Sequence, residues 1–516
     1  MSTAPENGRA GLRRSVYVIL AVASAGVMLG RILAVDSVDV RELQRDRAAK
    51  TQQDVKAARE KLTSEGLPAA EIDRRVEQLE ASRWDWVHLR RPFLSANDRS
   101  RWCTIRALVE GEMRVEGAPY AIDKVIQKPI WDTIDKVKHD GHLYSSKPAL
   151  WPTLLAAQYW VIHRLSGATL GTRPYEIGRT MLVLNNLLPL LVYFWLLAKL
   201  AERLGTTDWG RVFVMAAACF GTFLTTFAVV INNHLTAAVC AIVALYAAVR
   251  IWFDGERRWP YFAVAGLFAA LAAADELPAL ALLAALTAAL LWKAPGKTLA
   301  AYIPAAAVVA AGFFATNWIA HHSLRPPYAH RSQTDPADNW YVFEYERSGR
   351  TLLSYWHPKN REKQSEIDQG EPSRAVYALH ALVGHHGIFS LTPLWIVSVV
   401  GLGRWLGVPG DRRLRELAIL IAAVSLACLV FYLGVVGQQD RNYGGATSGL
   451  RWVFWLAPLW LAAMLPGADA MARRAWTRWL ALAMLAVSAL STSYPTWNPW
   501  THPWLFNFLE YLGWLS

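Results

Sequence analysis

The sequence predicts an all-α polytopic membrane protein of about 11 transmembrane helices (roughly 10–13), with two long extracytoplasmic loops containing juxtamembrane helices. Three observations predict it. Hydrophobic residues make up 54% of the 516 residues, and they fall in blocks rather than evenly. The blocks run to roughly 17–25 residues, the length of a bilayer-spanning helix and too long for strands. Lys and Arg gather at alternate ends of successive blocks, the positive-inside pattern.

The first block is Val16–Gly30, preceded by Arg9, Arg13 and Arg14. Arg31 follows at once and no small-residue cleavage site does, so it reads as a retained span rather than a signal peptide. With the N-terminus inside, Val35–Ile177 lies outside. Thr180–Ala198 returns to Lys199, Arg203 and Arg211. Val212–Ile231 exits, and Leu235–Val249 returns to Arg250, Arg257 and Arg258. Tyr261–Ala274 exits to Asp275 and Glu276. Leu277–Trp292 and Leu299–Ile319 turn inside at Lys293 and Lys297. His321 to about His385 forms the second long outer loop. Ile388–Leu406 returns to Arg404, Arg412, Arg413 and Arg415. Leu414–Val436 exits to an outer turn at Arg441–Gly449, and Trp452–Leu465 returns to Arg473, Arg474 and Arg478. Leu480–Ala489 begins the last exit.

The chain thus divides into an N-terminal tail and first span (1–34), a soluble helical hairpin inserted in the first outer loop (35–92), and a catalytic outer loop (93–176). A transmembrane bundle (177–320), the second outer loop (321–385), a further bundle (386–492) and an aromatic interfacial segment (493–516) follow. The formal charge of +12 sits at helix ends, so it serves topology and the lipid bilayer, and no nucleic-acid partner is expected. Of the four cysteines, Cys219, Cys240 and Cys428 lie inside apolar blocks and Cys103 in a loop, which leaves no disulfide framework.

In the first outer loop, Ile72, Val76 and Leu79 mark a helical stripe, and Gly66 to Pro68 break it into a hairpin. The following stretch, Asp98–Glu110, has a short apolar face at Ile105, Leu108 and Val109 beside Arg101 and Arg106, suited to a helix lying in the membrane surface. Asn97 and Asp98 stand where an N-cap belongs. Asp132, Asp135, His139, Asp140, His142 and Lys147 are packed into the next short segment. Leu150–Leu165, ended by His163 and Arg164, is expected to be a juxtamembrane helix.

These residues resemble the first outer loop of GT-C glycosyltransferases, nearest the protein O-mannosyltransferase and aminoarabinose-transferase group. The resemblance rests on an Asp (here Asp98) opening a short helix and on Tyr144, Lys147, Pro148 and Leu150, which follow a Tyr-x-x-Lys-Pro-Pro-Leu pattern. It rests also on Asn442 through Gly444, Gly445, Gly449 and Arg451 to Trp452. The chain departs from the pattern: no Glu follows Asp98, Ala149 replaces the second Pro, and Asn232, Asn233 and His234 stand where many members carry an acid. The resemblance implies inverting transfer of a hexosyl or pentosyl unit from a polyprenyl-phosphate donor. The acceptor would be a lipid, glycan or protein on the outer face of a bacterial inner membrane.

Such chemistry needs a base, cations for the leaving phosphate and an apolar groove. Asp98 is the candidate base, because a carboxylate near the interface can have its pKa raised; it would equally serve as a helix cap. Lys147, Arg441 and Arg451 are candidate phosphate ligands, with headgroup snorkelling the alternative for either Arg. Gly444, Gly445 and Gly449 would admit close backbone approach to a ligand, or simply make a tight turn. His385 and His386 are adjacent and point apart, so they would contact substrate, or a metal only with His234 or Asp275; interfacial packing is the alternative. Tyr144 is a further substrate-contact candidate. A divalent metal is compatible with this set but not required by it. A membrane transporter or a sugar-polymer ligase is the alternative function, and few ionisable residues at mid-membrane depth speak against transport.

Overall fold

The computed structural model describes residues 4–407 and 411–515; positions 1–3 of the expected tail, 408–410 and 516 lie outside the described residues. Numbering the longer helices in chain order, α1 (Gly8–Leu33) is followed by α2 (Arg41–Ser64), α3 (Ala69–Val87), α4 (Ala96–Val109) and α5 (Leu150–Ser166). Then come α6 (Pro174–Leu204), α7 (Asp208–Val229), α8 (Asn233–Phe253), α9 (Trp259–Asp275), α10 (Leu277–Lys293) and α11 (Pro295–His321). Beyond the second long loop lie α12 (Trp395–Gly407), α13 (Arg412–Val435), α14 (Arg451–Met471) and α15 (Ala475–Ser493).

Among the described residues seven helices are long and apolar enough to cross a membrane: α1, α6, α7, α8, α11, α13 and α14. The expected count of about 11 is reached only by adding the shorter apolar α9, α10 and α12 and the C-terminal α15. Two expected spans are interrupted. The Val212–Ile231 block breaks at Gly221 and Thr222, between helical pieces Asp208–Phe220 and Phe223–Thr226. The Ile388–Leu406 block breaks after Leu391, because Pro393 has no N–H to continue the ladder, and the helix restarts at Trp395.

Small residues let the bundle close. A Cβ on Gly401 of α12 would come within 1.9 Å of the Ala463 carbonyl oxygen of α14, and one on Gly467 within 2.2 Å of the Val397 oxygen. The two backbones therefore touch, as small-residue helix pairs in lipid do. At one end of the bundle the buried Asp469 of α14 binds the α6–α7 turn. It accepts from Thr206 N (2.7 Å) and Oγ1 (2.8 Å) and from Thr207 N (2.9 Å) and Oγ1 (2.6 Å). At the same end Arg13 of α1 pairs with Glu202 of α6.

The two long loops lie together and are not wholly helical. Each carries a two-stranded antiparallel sheet, β1 (Lys136–His139) with β2 (His142–Ser145) and β3 (Glu344–Arg347) with β4 (Arg350–Leu353). Both hairpins turn on two residues of positive φ, Asp140 and Gly141 (47° and 83°) and Ser348 and Gly349 (50° and 70°), the turn that matches strand twist. Lys138 N donates to Trp340 O (2.9 Å), Asp132 pairs with Arg347, and the Trp340 ring is stacked between His139 (3.9 Å) and His330 (3.6 Å). Segments of the first loop, α5 and β2 among them, pack on α4 and bury it from Asn97 through Ala107, so α4 is not the surface-lying helix its composition suggests. The inserted α2–α3 hairpin is held at its base by the fully buried Asp39, which pairs with Arg47 and Arg91.

Candidate active site

Beneath the two loops a cavity of about 310 Å³ gathers polar side chains from elements far apart in the chain. On α4, Asn97 and Arg101 stand one turn apart and face the same way. Lys147 comes from the turn between β2 and α5, and His234 and Asn233 from the first turn of α8. Asp275 and Glu276 come from the end of α9, Arg331 and Tyr341 from the second loop, Tyr432 from α13, and Arg451 and Trp452 from the start of α14. One wall is apolar, formed by Leu277, Pro278, Phe431, Val436 and Trp452. Phe431 and Tyr432 project from a π-helical turn, Phe431–Val435, that ends α13; such turns recur at functional sites.

A continuous polar network runs along the cavity. Arg101 donates to Asn97 Oδ1 (2.6 Å) and to Asn233 Oδ1 (2.7 Å). Asn233 in turn donates to Glu276 Oε1 (2.6 Å), and Glu276 Oε1 contacts His234 Nδ1. Arg451 Nη1 reaches His234 Nε2 at 2.7 Å, and its Nε donates to Gly444 O at 2.8 Å. A guanidinium can only donate, so Nε2 of His234 accepts, and the proton of the neutral imidazole sits on Nδ1 towards Glu276. Gly444 permits the Arg451 contact. Its φ is +93°, and a Cβ there would lie 2.8 Å from Arg451 Nε. The ring of Trp500 lies 4.8 Å from the Arg451 guanidinium carbon.

Lys147 pairs with Asp135 at 3.1 Å. Burial pulls the Lys147 ammonium down to about 8, with Arg101 and Arg451 adding to the fall and Asp135 opposing it. Burial pushes Asp135 up, but Lys147, Arg451 and Arg101 prevail and hold its carboxyl below the usual range. Burial lowers Arg101 to about 10, so it stays charged at neutral pH. The carboxylate of Asp275 lines the cavity without a hydrogen-bond partner among the described residues; only its backbone oxygen is engaged, by Asn233 at 3.2 Å. No group of three or more His, Cys, Asp or Glu among the described residues is arranged to hold a metal ion.

Of the residues singled out from the sequence, Lys147, Arg451, His234 and Asp275 meet in this cavity. Asp98 does not line it. Ser95 is the N-cap of α4, and Asp98, at N3, closes a capping box by accepting from Ser95 N and Oγ, both at 3.0 Å. Asp98 is 1% exposed, and burial raises its carboxyl to about 6, against Arg99 and Ser95. Arg441 is buried away from the cavity, its carbonyl accepting from Glu371 N. His385 and His386 pack with His380, His502 and Tyr443, behind the Gly444 turn, and burial takes His385 down to about 3. Tyr144 packs edge-on against His321 at 4.8 Å and is likewise not a cavity residue. Sequence reasoning missed Asn97, Arg101, Asn233, Glu276, Arg331 and Trp500 as site residues. Asn97 and Arg101 carried a signal, the four-residue spacing, and Trp500 carried none.

No family model matches the chain, and no curated protein does. Among solved structures it is similar to oligosaccharyltransferase from Archaeoglobus fulgidus in a complex with zinc and sulfate (14% identity, 81% of this chain and 55% of that chain, TM-score 0.38). The apo form of that protein (13%, 84% and 55%, 0.39) and AglB from the same organism with an inhibitory peptide and a dolichol-phosphate (12%, 78% and 54%, 0.34) are similar to about the same degree. The chain spans about half the length of these neighbours. Likeness this low leaves the chemistry to be read from the residues themselves.

Proposed function

We propose that this chain is an integral-membrane glycosyltransferase of the GT-C type, moving a hexosyl or pentosyl unit from a polyprenyl-phosphate donor to an acceptor hydroxyl on the extracytoplasmic face. One observation carries the reading: a single cavity joins Arg101, Lys147 and Arg451 to an apolar wall of Leu277, Pro278, Phe431, Val436 and Trp452. Cations beside an apolar wall suit a ligand with a phosphate at one end and a hydrocarbon tail. Arg offers a fixed fork to phosphate oxygens and Lys a mobile point charge, so the three together fit a monophosphate ester.

In the proposed reaction the acceptor hydroxyl oxygen bonds to the anomeric carbon as the bond from that carbon to the phosphate oxygen breaks. The electron pair leaves with the polyprenyl phosphate, whose growing charge Arg101, Lys147 and Arg451 stabilise. The hydroxyl proton passes to a carboxylate. Asp275 is the proposed base, in place of Asp98, because it lines the cavity and its carboxyl has no hydrogen-bond partner among the described residues, while Asp98 is engaged in its capping box. Glu276 keeps His234 in the tautomer that receives Arg451, and so positions the phosphate ligand.

The test uses the full-length chain in lipid nanodiscs. Binding of polyprenyl monophosphate is measured for wild type, Lys147→Ala and Arg451→Ala. Saturable binding that each variant weakens by about tenfold or more is expected, since a charge-assisted pair is worth about 1.5–3 kcal/mol. Wild-type protein that binds no polyprenyl phosphate, or variants that bind it equally well, would overturn the reading.

A further inference from the structure

A second cavity, of about 450 Å³, opens between the second long loop and the turn at Gln438 and Gln439. The two cavities share Arg331 and Tyr341 in their walls, so they adjoin. The character of the walls changes across that boundary. The inner cavity is cationic and apolar. The outer one is faced by the side-chain amides of Gln333, Gln364, Gln438 and Gln439 and by the rings of Trp356 and Tyr341.

Of its three charged residues, Arg361 is exposed and the other two are committed within the protein. Arg331 pairs with Asp440 at 3.0 Å, and Asp368 accepts from the Tyr355 hydroxyl at 2.7 Å. The amides are held but not exhausted. Gln333 Nε2 donates to Gln439 Oε1 at 2.8 Å, which leaves the Gln333 carbonyl and the Gln439 NH₂ group for a ligand. Gln364 spends one N–H on Tyr355 O at 2.8 Å and keeps its carbonyl. An amide offers a donor and an acceptor side by side in one plane, which matches adjacent hydroxyls on a ring. The Trp356 and Tyr341 rings stand near perpendicular, 76° apart with centroids at 6.5 Å; Arg331 lies over both, 4.4 Å from Trp356 and 5.1 Å from Tyr341, and the partly exposed Trp356 offers its remaining apolar surface to the C–H face of such a ring.

We propose that this outer cavity is the acceptor subsite and that the acceptor is a neutral saccharide. Its terminal sugar hydroxyl enters the donor cavity past Arg331 and Tyr341. The assignment rests on the glycosyltransferase reading and names its acceptor class. A peptide fits the walls less well. An extended peptide needs a free strand edge or apolar side-chain pockets, and among the described residues Val342 and Pro358 are the only aliphatic ones lining this cavity.

The experiment separates this subsite from the donor reading by measuring binding without any donor. The purified full-length chain is applied to an array of short neutral hexose and pentose oligosaccharides, with Ser- and Thr-containing peptides printed alongside. Wild type is expected to bind at least one oligosaccharide series saturably. Trp356→Ala and Gln439→Ala should each weaken that binding about 2–12-fold, the loss of one stacking face or one amide pair. Lys147→Ala should bind the saccharide like wild type while losing polyprenyl phosphate. Monodisperse elution of each variant shows that it is folded. Binding of peptides in place of saccharides, binding of no saccharide, or saccharide binding indifferent to both outer-cavity substitutions would overturn the proposal. Saccharide binding through Trp356 by a protein that ignores polyprenyl phosphate would instead overturn the donor reading, and with it the word acceptor.

Discussion

Arg451 Nη1 lies 2.7 Å from Nε2 of His234, a contact between residues 217 apart in the chain. It joins the start of α14 to the start of α8, and Glu276 backs it from the far side of the imidazole. Because Nε also holds Gly444 O, both edges of the guanidinium are fixed before any ligand arrives. Lysine keeps the charge but cannot hold two partners in this geometry. Arg451→Lys is therefore expected to lower sugar transfer by about 10²-fold, the usual effect of removing one preorganised donor, with the thermal unfolding profile little changed. His234→Gln, which can still accept from Arg451, should retain more activity than His234→Ala. Equal loss in the two His234 variants would exclude the positioning role.

The base is tested by two carboxamides. Asp275→Asn removes the carboxylate that faces the cavity, and a loss of about 10²–10⁴-fold in transfer is expected. Asp98→Asn keeps an oxygen that can accept from Ser95, so transfer should stay within a few-fold of wild type. The same substitution has a stability signature. The folded carboxyl of Asp98 titrates near 6 and the unfolded one near 3.8, so ionisation costs the fold about 3 kcal/mol once both states are charged. That cost is fully present above pH 6 and disappears as the pH falls below about 4. Asp98→Asn should accordingly stabilise the protein at pH 7 and not at pH 4 in denaturant titrations. A variant that is stable but inactive would return the base role to Asp98.

Lys147 should give the pH profile an alkaline limb. Its ammonium titrates near 8 in the folded protein, so kcat/KM should fall as the pH rises through that value and the phosphate ligand loses its charge. Lys147→Arg stays charged over the whole accessible range and should abolish the limb, at some cost in rate. Unfolding does not explain the limb. A Lys whose folded pKa lies below its unfolded value of 10.5 makes the fold more stable, not less, between about pH 8 and 10.5. An unchanged limb in Lys147→Arg would assign it to another group.

The helical bundle was legible because lipid imposes a length and a charge asymmetry that any one block displays by itself. What lay between the blocks was not. Lys147 and Arg451 could be singled out because each sits in a short motif next to a helix start. Arg101 was read as the polar edge of a surface helix. It joins the candidate site through Asn233, 132 residues later in the chain, a partner its local sequence does not announce. Asn232, Asn233 and His234 read as the loss of an acidic group; in the fold Glu276, from the turn after the next helix, lies against Asn233 and His234. The Asp140-Gly141 hairpin, by contrast, was written locally and could have been read. At Asp98 a carboxylate at a helix start suggests a base, and Ser95 three residues earlier gives the same group a structural use, as the N3 partner of a capping box.

Trp500 belongs to a C-terminal segment whose aromatic content suggests only a membrane-interface anchor, but its ring supports Arg451 at 4.8 Å and meets Phe227 edge-on at 5.7 Å. A cation over an aromatic face that is shielded from water gains about 0.5–2 kcal/mol. Trp500→Ala should therefore weaken polyprenyl-phosphate binding by roughly 2–30-fold, the equivalent of that energy, without removing any group that touches the phosphate. Trp500→Phe keeps an aromatic face below the guanidinium and should recover most of the affinity. The indole Nε1 of Trp500 is buried without a hydrogen-bond partner, so its loss in the Phe variant removes no bond. If the Phe and Ala variants were equally impaired, the ring would be filling space and not holding Arg451. If neither differed from wild type, Gly444 and His234 alone would suffice to fix the guanidinium.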